Sequence, residues 1–301
     1  MIANILDHFR RRMGYAMPRT GPLGFFLYWR LVPDRIESEL VPGIYINMDL
    51  RDKVQKETYW HGGRTEPHLR RDLLELCSTG VTNFFDIGAN FGFYSYYLLS
   101  HVPSLAVHAF EPGERYPAQM QETKQRNQLD RFHIHRMGLS DQRGVLELLV
   151  DPINSGNSSF AAGHPNRLPG SQPIPQKVPI MTFDDWIEEQ SIEKPGAPSW
   201  VAKVDVEGFE LKVLKGMRNS LEQGLFKAIA VEVFARTLAL AGARPADIFQ
   251  YMESVDYTAY DEASRTPTHP IPDDENRNVV FLKNGLHIPG YTIKESLEKS
   301  G

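Results

Sequence analysis

Five short apolar runs separated by helix-length stretches constrain this chain more than any other feature. NFFDIG (83–88), LAVHAF (105–110), RFHIHRM (131–137), WVAKVDV (200–206) and AIAVEVF (228–234) read as buried strands. Residues 92–101, 114–127, 209–222 and 245–255 carry helical patterns in the gaps and after the last run. Such alternation closes as parallel strands joined by right-handed crossovers, so the predicted fold class is a doubly wound α/β sheet. Leu69, Leu73, Leu74, Leu76 and Cys77 predict a helix over 66–77 and give Cys77 a core role. Residues 145–150 predict an extra strand. Residues 152–179, rich in Pro, Gly, Asn and Ser, predict a long loop of the kind that carries function.

Residues 1–65 have a different grammar, aromatic and arginine-rich with prolines at 18, 22, 33 and 42, and are expected to form an appendage to a domain over 66–301. Ile2, Ile5, Leu6, Phe9 and Met13 recur at helical spacing opposite Arg10, Arg11 and Arg12. Docking of that helix on its own domain or on a second copy in a homodimer is expected ahead of peripheral membrane contact. No apolar run approaches the roughly 20 residues of a membrane span, since even 21–33 is broken by glycine, arginine and proline. With 33 Lys+Arg against 38 Asp+Glu, a formal charge of −5 disfavours a nucleic-acid partner. One cysteine excludes an internal disulfide and a thiolate zinc cluster, and a cytoplasmic, reducing compartment is expected. His133 and His135 form the closest histidine pair but have no carboxylate at ligand spacing, so no metal is expected.

In an open parallel sheet, ligands bind outside the carboxyl ends of the strands. The first run ends in DIGANFGFYS (86–95), where Gly88 and Gly92 bracket a strand-to-helix turn and Asn90 tolerates positive φ. Asp86 and Asn90 depart from the G-x-G-x-x-G fingerprint of dinucleotide folds. An acid there repels pyrophosphate and suits an ammonium or sulfonium, both of which S-adenosylmethionine carries. The second run ends in AFEP, placing Glu111 where an acid accepts ribose hydroxyls and Pro112 where the strand must stop. In KVDVEGFELKVLKG (203–216), alternation puts Lys203, Asp205 and Glu207 on one side. Lys203 and Asp205 can pair, Glu210 suits a first helical turn, and Glu232 is a second acid near a strand end.

DIGANFGFYS, AFEP, the NSGNSS loop (154–159), TFDDW (182–186), KVDVEGFELKVLKG and VEVF, in this order, resemble the FkbM-type S-adenosylmethionine-dependent methyltransferases over roughly 64–284. The resemblance implies a seven-stranded sheet of order 3-2-1-4-5-7-6, with NVVFLKNG (278–285) antiparallel, and O-methylation of a sugar, polyketide or similar hydroxyl on a small molecule or glycan. It implies that Asp86, Gly88 and Asn90 hold the methionine end, Glu111 the ribose, and that Gly138 and Leu139 border the adenine. Asp205 and Glu207 would face the methyl group and acceptor. Asn157, Ser158 and Ser159 would lie at the substrate side. Glu66 matches a family glutamate before the first strand, with Thr65 in place of its tyrosine neighbour.

A hydroxyl acceptor needs a base within reach. Asp205 takes that role first, with Glu207, Glu232 and His164 as alternatives. Three rivals are set against this reading. N-methylation lacks the [DN]-P-P-[YF] tetrapeptide, a nicotinamide oxidoreductase lacks its glycine fingerprint, and a non-catalytic binding module has no need of intact cofactor motifs.

Overall fold

The computed structural model describes residues 33–61, 63–167, 171–272 and 275–292. The expected helix at Ile2 to Met13, with Arg10, Arg11 and Arg12, lies outside them. The chain opens with a hairpin, β1 (Arg35–Val41) and β2 (Ile44–Asp49), followed by α1 (Lys53–His61) and α2 (Pro67–Cys77). The alternating unit then runs β3 (Asn83–Ile87), α3 (Phe93–His101), β4 (Ala106–Phe110), α4 (Arg115–Asn127) and β5 (Phe132–His135). A small sheet follows, from β6 (Gly138–Leu139), β7 (Gly144–Val150) and β8 (Ile174–Met181). Next come α5 (Phe183–Gln190), β9 (Trp200–Val204), α6 (Glu210–Gly216), α7 (Arg218–Glu222) and β10 (Phe226–Phe234). The chain closes with α8 (Ala235–Leu240), α9 (Pro245–Ser254), β11 (Tyr257–Asp261) and β12 (Asn276–Lys283).

The central sheet has the order β11-β12-β10-β9-β3-β4-β5, parallel except for β12, which runs antiparallel to both neighbours. That is the expected methyltransferase order. Its inner strands are largely apolar on both faces because helices cover both, as parallel sheets require. Phe84, Val107, Val201 and Ala230 face one cluster with α2, α3 and α4, while Phe85, Phe110, Val204 and Val231 face another with α5, α6 and α9. Phe85 packs edge-on against Phe183, Trp186, Trp200 and Phe226, so Phe85→Ala would cost about 3–5 kcal/mol. His108, His133 and His135 stack in the same layer, and burial lowers all three imidazoles, His108 to about 3 and His135 to about 4. Cys77 is buried and burial pushes its thiol far up, which fits a packing role.

Two parts of the chain depart from the expected layout. Residues 35–61 are continuous with the core: Ile36, Leu40, Ile46, Met48 and Tyr59 belong to the same cluster as α2 to α4. The open edge of β2 is satisfied by α4, through Asn127 Oδ1 with Tyr45 N–H (2.8 Å) and Gln119 Nε2 with the Asn47 carbonyl (2.8 Å). The expected loop over 152–179 is shorter, because residues from Ile174 pair with β7 as β8. Pro175 and Pro179 are tolerated there since β6 covers only the Ile180–Met181 end of the other edge.

Candidate active site

The carboxyl ends of β3, β4, β9 and β10 open on a cavity of about 370 Å³, a size typical of small-molecule sites. Glu66, Gly88, Asn90, Glu111, Pro112, Gly138, Leu139, Ser158, Ser159, Asp205, Glu207 and Glu232 line it. Asp86, Gly92, Asn157 and His164 stand behind its wall, each for an identifiable reason. The Asp86 carboxylate turns onto the start of α3, accepting from Ser95 N–H (3.1 Å) and Ser95 Oγ (2.7 Å), which satisfies an open helix N-terminus. Gly92 packs against Met120 of α4, whose Sδ would lie 2.9 Å from an added Cβ. Asn157 donates to the Asn166 carbonyl (2.9 Å) within its own loop.

The turn after β3 has Gly88, Asn90 and Gly92 at φ 82°, 51° and 89°. What presses on Gly88 is the chain itself, since an added Cβ would sit 1.7 Å from the Asp205 carbonyl oxygen. Glu111 closes the turn from β4: its two oxygens accept from Asn90 N–H (3.0 Å) and Gly113 N–H (3.1 Å). A carboxylate has about four acceptor positions, so it can take two further hydroxyl donors. Burial pushes Glu111 up to about 7 against the opposing effect of those two N–H groups. Phe110, Met137, Leu139, Leu148 and Phe160 supply an apolar flank beside it.

The other lobe is acidic. Asp205 accepts from Lys203 Nζ at 2.7 Å, and the same ammonium lies 5.0 Å from the centre of the Tyr94 ring. Burial alone would lower that ammonium, but Asp205, Asp86 and Glu66 outweigh it and hold it charged. Glu207 stands at φ 52°, a left-handed conformation uncommon for a non-glycine residue. Ser159 Oγ donates to its carbonyl (2.7 Å) and His164 Nε2 meets its carboxylate (2.9 Å). His164 Nδ1 accepts from Asn166 N–H (3.3 Å), so the imidazole proton sits on Nε2 and is donated to Glu207. Burial holds His164 below its ordinary value, which keeps it neutral. Burial, then the neighbouring Asp205, pushes Glu207 and Glu232 well above the usual carboxylate range. Asp205, Glu207 and Glu232 each offer an oxygen within 4.8 Å of the others, a grouping that attracts a cation, organic or metallic. Glu66 is held at φ 45° by Tyr94 Oη (2.6 Å) and Asn278 Nδ2 (3.0 Å).

A match to the methyltransferase FkbM domain spans residues 86–259, more than half of the chain. The chain belongs to the FkbM methyltransferase family. Hexuronic acid methyltransferase AglP of Haloferax volcanii is 30% identical over 172 residues, 57% of this chain and 64% of that protein. Methyltransferase 1 of Beauveria bassiana is 25% identical over 144 residues, 44% of this chain and 57% of that one. The alignments thus span less than two thirds of the length of each of these curated relatives. Among solved structures, a precorrin-6y C5,15-methyltransferase from Geobacter metallireducens shares 10% identity over 73% of this chain and 90% of that chain, with a TM-score of 0.38.

Sequence reasoning missed several wall residues of this FkbM methyltransferase. Val54, Glu57 and Thr58 come from α1, outside the family match, and Tyr116 from α4. Tyr94, also on the wall, was within reach of the sequence, inside DIGANFGFYS and one position before the serine whose N–H and hydroxyl donate to Asp86.

Proposed function

We propose that this protein transfers a methyl group from S-adenosylmethionine to a hydroxyl of a sugar or similar small molecule. The observation that carries the reading is charge. Among the described residues the cavity wall holds Glu57, Glu66, Glu111, Glu114, Asp205, Glu207 and Glu232, against Arg115 and Lys203. That excess favours a ligand with ammonium and sulfonium charges, and Glu111 has the free lone pairs a ribose diol needs. The apolar flank beside Glu111 suits a purine. When bound, S-adenosylmethionine supplies an electrophilic methyl group on a sulfonium.

The protein's part is to position the acceptor and remove its proton. Glu207 is the base we assign, ahead of Asp205. Asp205 is committed to Lys203, whereas Glu207 has one oxygen anchored by His164 and the other, Oε1, toward Gly156, 3.9 Å from where a Cβ would stand. The missing side chain at Gly156 leaves room for an acceptor there. A buried carboxylate raised above its ordinary range is a stronger base toward a hydroxyl proton than a solvated one. His164 is a positioning residue: both its nitrogens are occupied and its side chain is buried. The relationship to a hexuronic acid methyltransferase supports a sugar acceptor, and the acidic wall favours one without a carboxylate of its own.

Titration with S-adenosylhomocysteine and transfer of labelled methyl to a panel of methyl glycosides test the reading together. Glu207→Gln should lower turnover by about 10²-fold with affinity for S-adenosylhomocysteine, which carries no sulfonium charge, nearly unchanged. His164→Gln, which retains an N–H donor, should retain more activity than His164→Ala. No binding of S-adenosylhomocysteine would overturn the proposal, and near-normal turnover in Glu207→Gln would return the base role to Asp205 or Glu232.

A further inference from the structure

Asp52 lies between β2 and α1, outside the family match, and is fully buried although no lysine, arginine or histidine pairs with it among the described residues. Its carboxylate instead gathers four donors. Gln55 N–H (3.0 Å) caps the first turn of α1, Tyr116 Oη (3.0 Å) comes from α4, and Ser155 contributes both its N–H (3.0 Å) and its Oγ (3.1 Å). The chain of bonds continues outward. Ser155 Oγ accepts from Asn90 Nδ2 (3.0 Å), and Asn90 N–H donates to Glu111 (3.0 Å). Lys53 N–H adds a backbone bond to the Ile153 carbonyl (2.8 Å). The residues fastened in this way, Asn90, Glu111, Tyr116 and Ser155, all line the cavity, as do Val54 and Thr58 on α1 itself.

We propose that Asp52 is a positioning residue for the cofactor, through which the N-terminal hairpin and α1 complete the nucleoside side of the pocket. This rests on the cofactor reading above. The carboxylate's role is to orient four donors at once, which fixes the 154–157 turn against the loop after β3 and holds Asn90 in its left-handed conformation with its N–H on Glu111. A neutral amide of the same shape cannot do this. Asparagine offers a single acceptor oxygen and turns an NH2 toward the other pair of groups, where the backbone N–H of Gln55 or Ser155 can only donate and is left without its acceptor while the hydroxyl beside it must give up or reverse its bond. With those bonds goes the constraint on Ser155 and hence on Asn90 and Glu111.

The test is S-adenosylhomocysteine affinity in the full chain, with hydrogen exchange of residues 52–58 and 153–158. Asp52→Asn should raise Kd by about tenfold or more. Ser155→Ala, which removes only the bridging hydroxyl, should raise it by a smaller factor, and the two changes together should be less than additive because they break one network. In the native protein the ligand should slow exchange in both segments. Thr182→Ala, which removes the N-cap of α5 away from the cavity, serves as the stability control and should lower Tm with Kd unchanged. If Asp52→Asn fails to fold, Ser155→Ala and the exchange pattern decide the matter. A Kd unchanged by Ser155→Ala together with no ligand-induced protection of 52–58 overturns the proposal. Absence of binding by the native protein overturns the cofactor reading and this inference with it.

Discussion

If Glu111 takes the ribose hydroxyls as proposed, its carboxyl makes S-adenosylmethionine binding a proton-linked event whose size follows from its surroundings. Burial raises it to about 7, so the ligand-free protein carries a proton there below neutrality. Ribose hydroxyls donate best to the ionised form, so binding must expel that proton. The apparent Kd then scales as one plus the ratio of proton concentration to the ionisation constant. Affinity for S-adenosylhomocysteine should weaken about tenfold per pH unit below 7, by roughly 30-fold at pH 5.5 relative to pH 8.5. Calorimetry in buffers of different ionisation enthalpy should register release of about half a proton at pH 7. Glu111→Gln keeps the shape, removes the titration, and should cost about 10–100-fold in affinity at pH 8.5, the scale of a charged hydrogen bond. Its affinity should no longer follow the native slope. Glu210 is the internal control: it too is pushed up to about 7 by burial, but it accepts from Val206 N–H and Gly208 N–H and does not line the cavity. Glu210→Gln should leave the slope in place. An identical slope in native protein and Glu111→Gln would transfer the proton to Glu207 or Glu232 and refute the ribose assignment.

Three further outcomes are expected. Gly88→Ala should be disabling, at a cost above about 3 kcal/mol, because the new Cβ meets the Asp205 backbone at 1.7 Å where no side chain can yield; soluble yield and urea midpoint check it. Asp205→Asn should lower stability by about 1–3 kcal/mol by leaving the buried Lys203 ammonium without its partner, while turnover per folded molecule largely survives; an unchanged Tm with lost turnover would restore Asp205 as the base. His108 is held at about 3, so the unfolded chain binds the extra proton first and its contribution, full above pH 6.5, is lost as pH falls toward 3. By pH 5 that amounts to about 2 kcal/mol, and His108→Gln should show a correspondingly shallower loss in urea melts between pH 7.5 and 5.

What could be read from the sequence followed the range of the interactions involved. The strands β3, β4, β9 and β10 were visible because burial on both faces leaves nearly continuous apolar runs. The hairpin β1–β2 does alternate, but the inward position of Ser38, fully buried, interrupts the pattern that Ile36 and Leu40 set. β8 was hidden by its prolines. The expected helix over 209–222 divides at Gly216, where an added Cβ would stand 2.0 Å from the Ser140 carbonyl oxygen, an approach no local pattern announces. The site shows the same division. Glu111 sits at the end of its own strand and was legible from position. The pairings of His164 with Glu207 and of Asp52 with Ser155 join segments 43 and 103 residues apart, and no periodicity connects them.

The loop after β3 also settles, on physical grounds, why a glycine turn in this fold need not serve a dinucleotide. In a pyrophosphate site the backbone N–H groups of that turn must be free to meet anionic oxygens. Here each N–H from 88 to 92 is already committed: Gly88 and Ala89 to the Phe110 carbonyl, Asn90 to Glu111, Phe91 to Asn90 Oδ1, and Gly92 to the Ala89 carbonyl. A diphosphate brought to this turn would find no open donor and would lie against Glu111. The same commitments hold Glu111 in place and leave its remaining lone pairs toward the cavity, so the turn presents acceptors where a dinucleotide fold presents donors. That inversion, together with the cluster of Asp205, Glu207 and Glu232 across the cavity, supports the proposed reading of a ligand that brings hydroxyl protons and positive charge over one that brings phosphate.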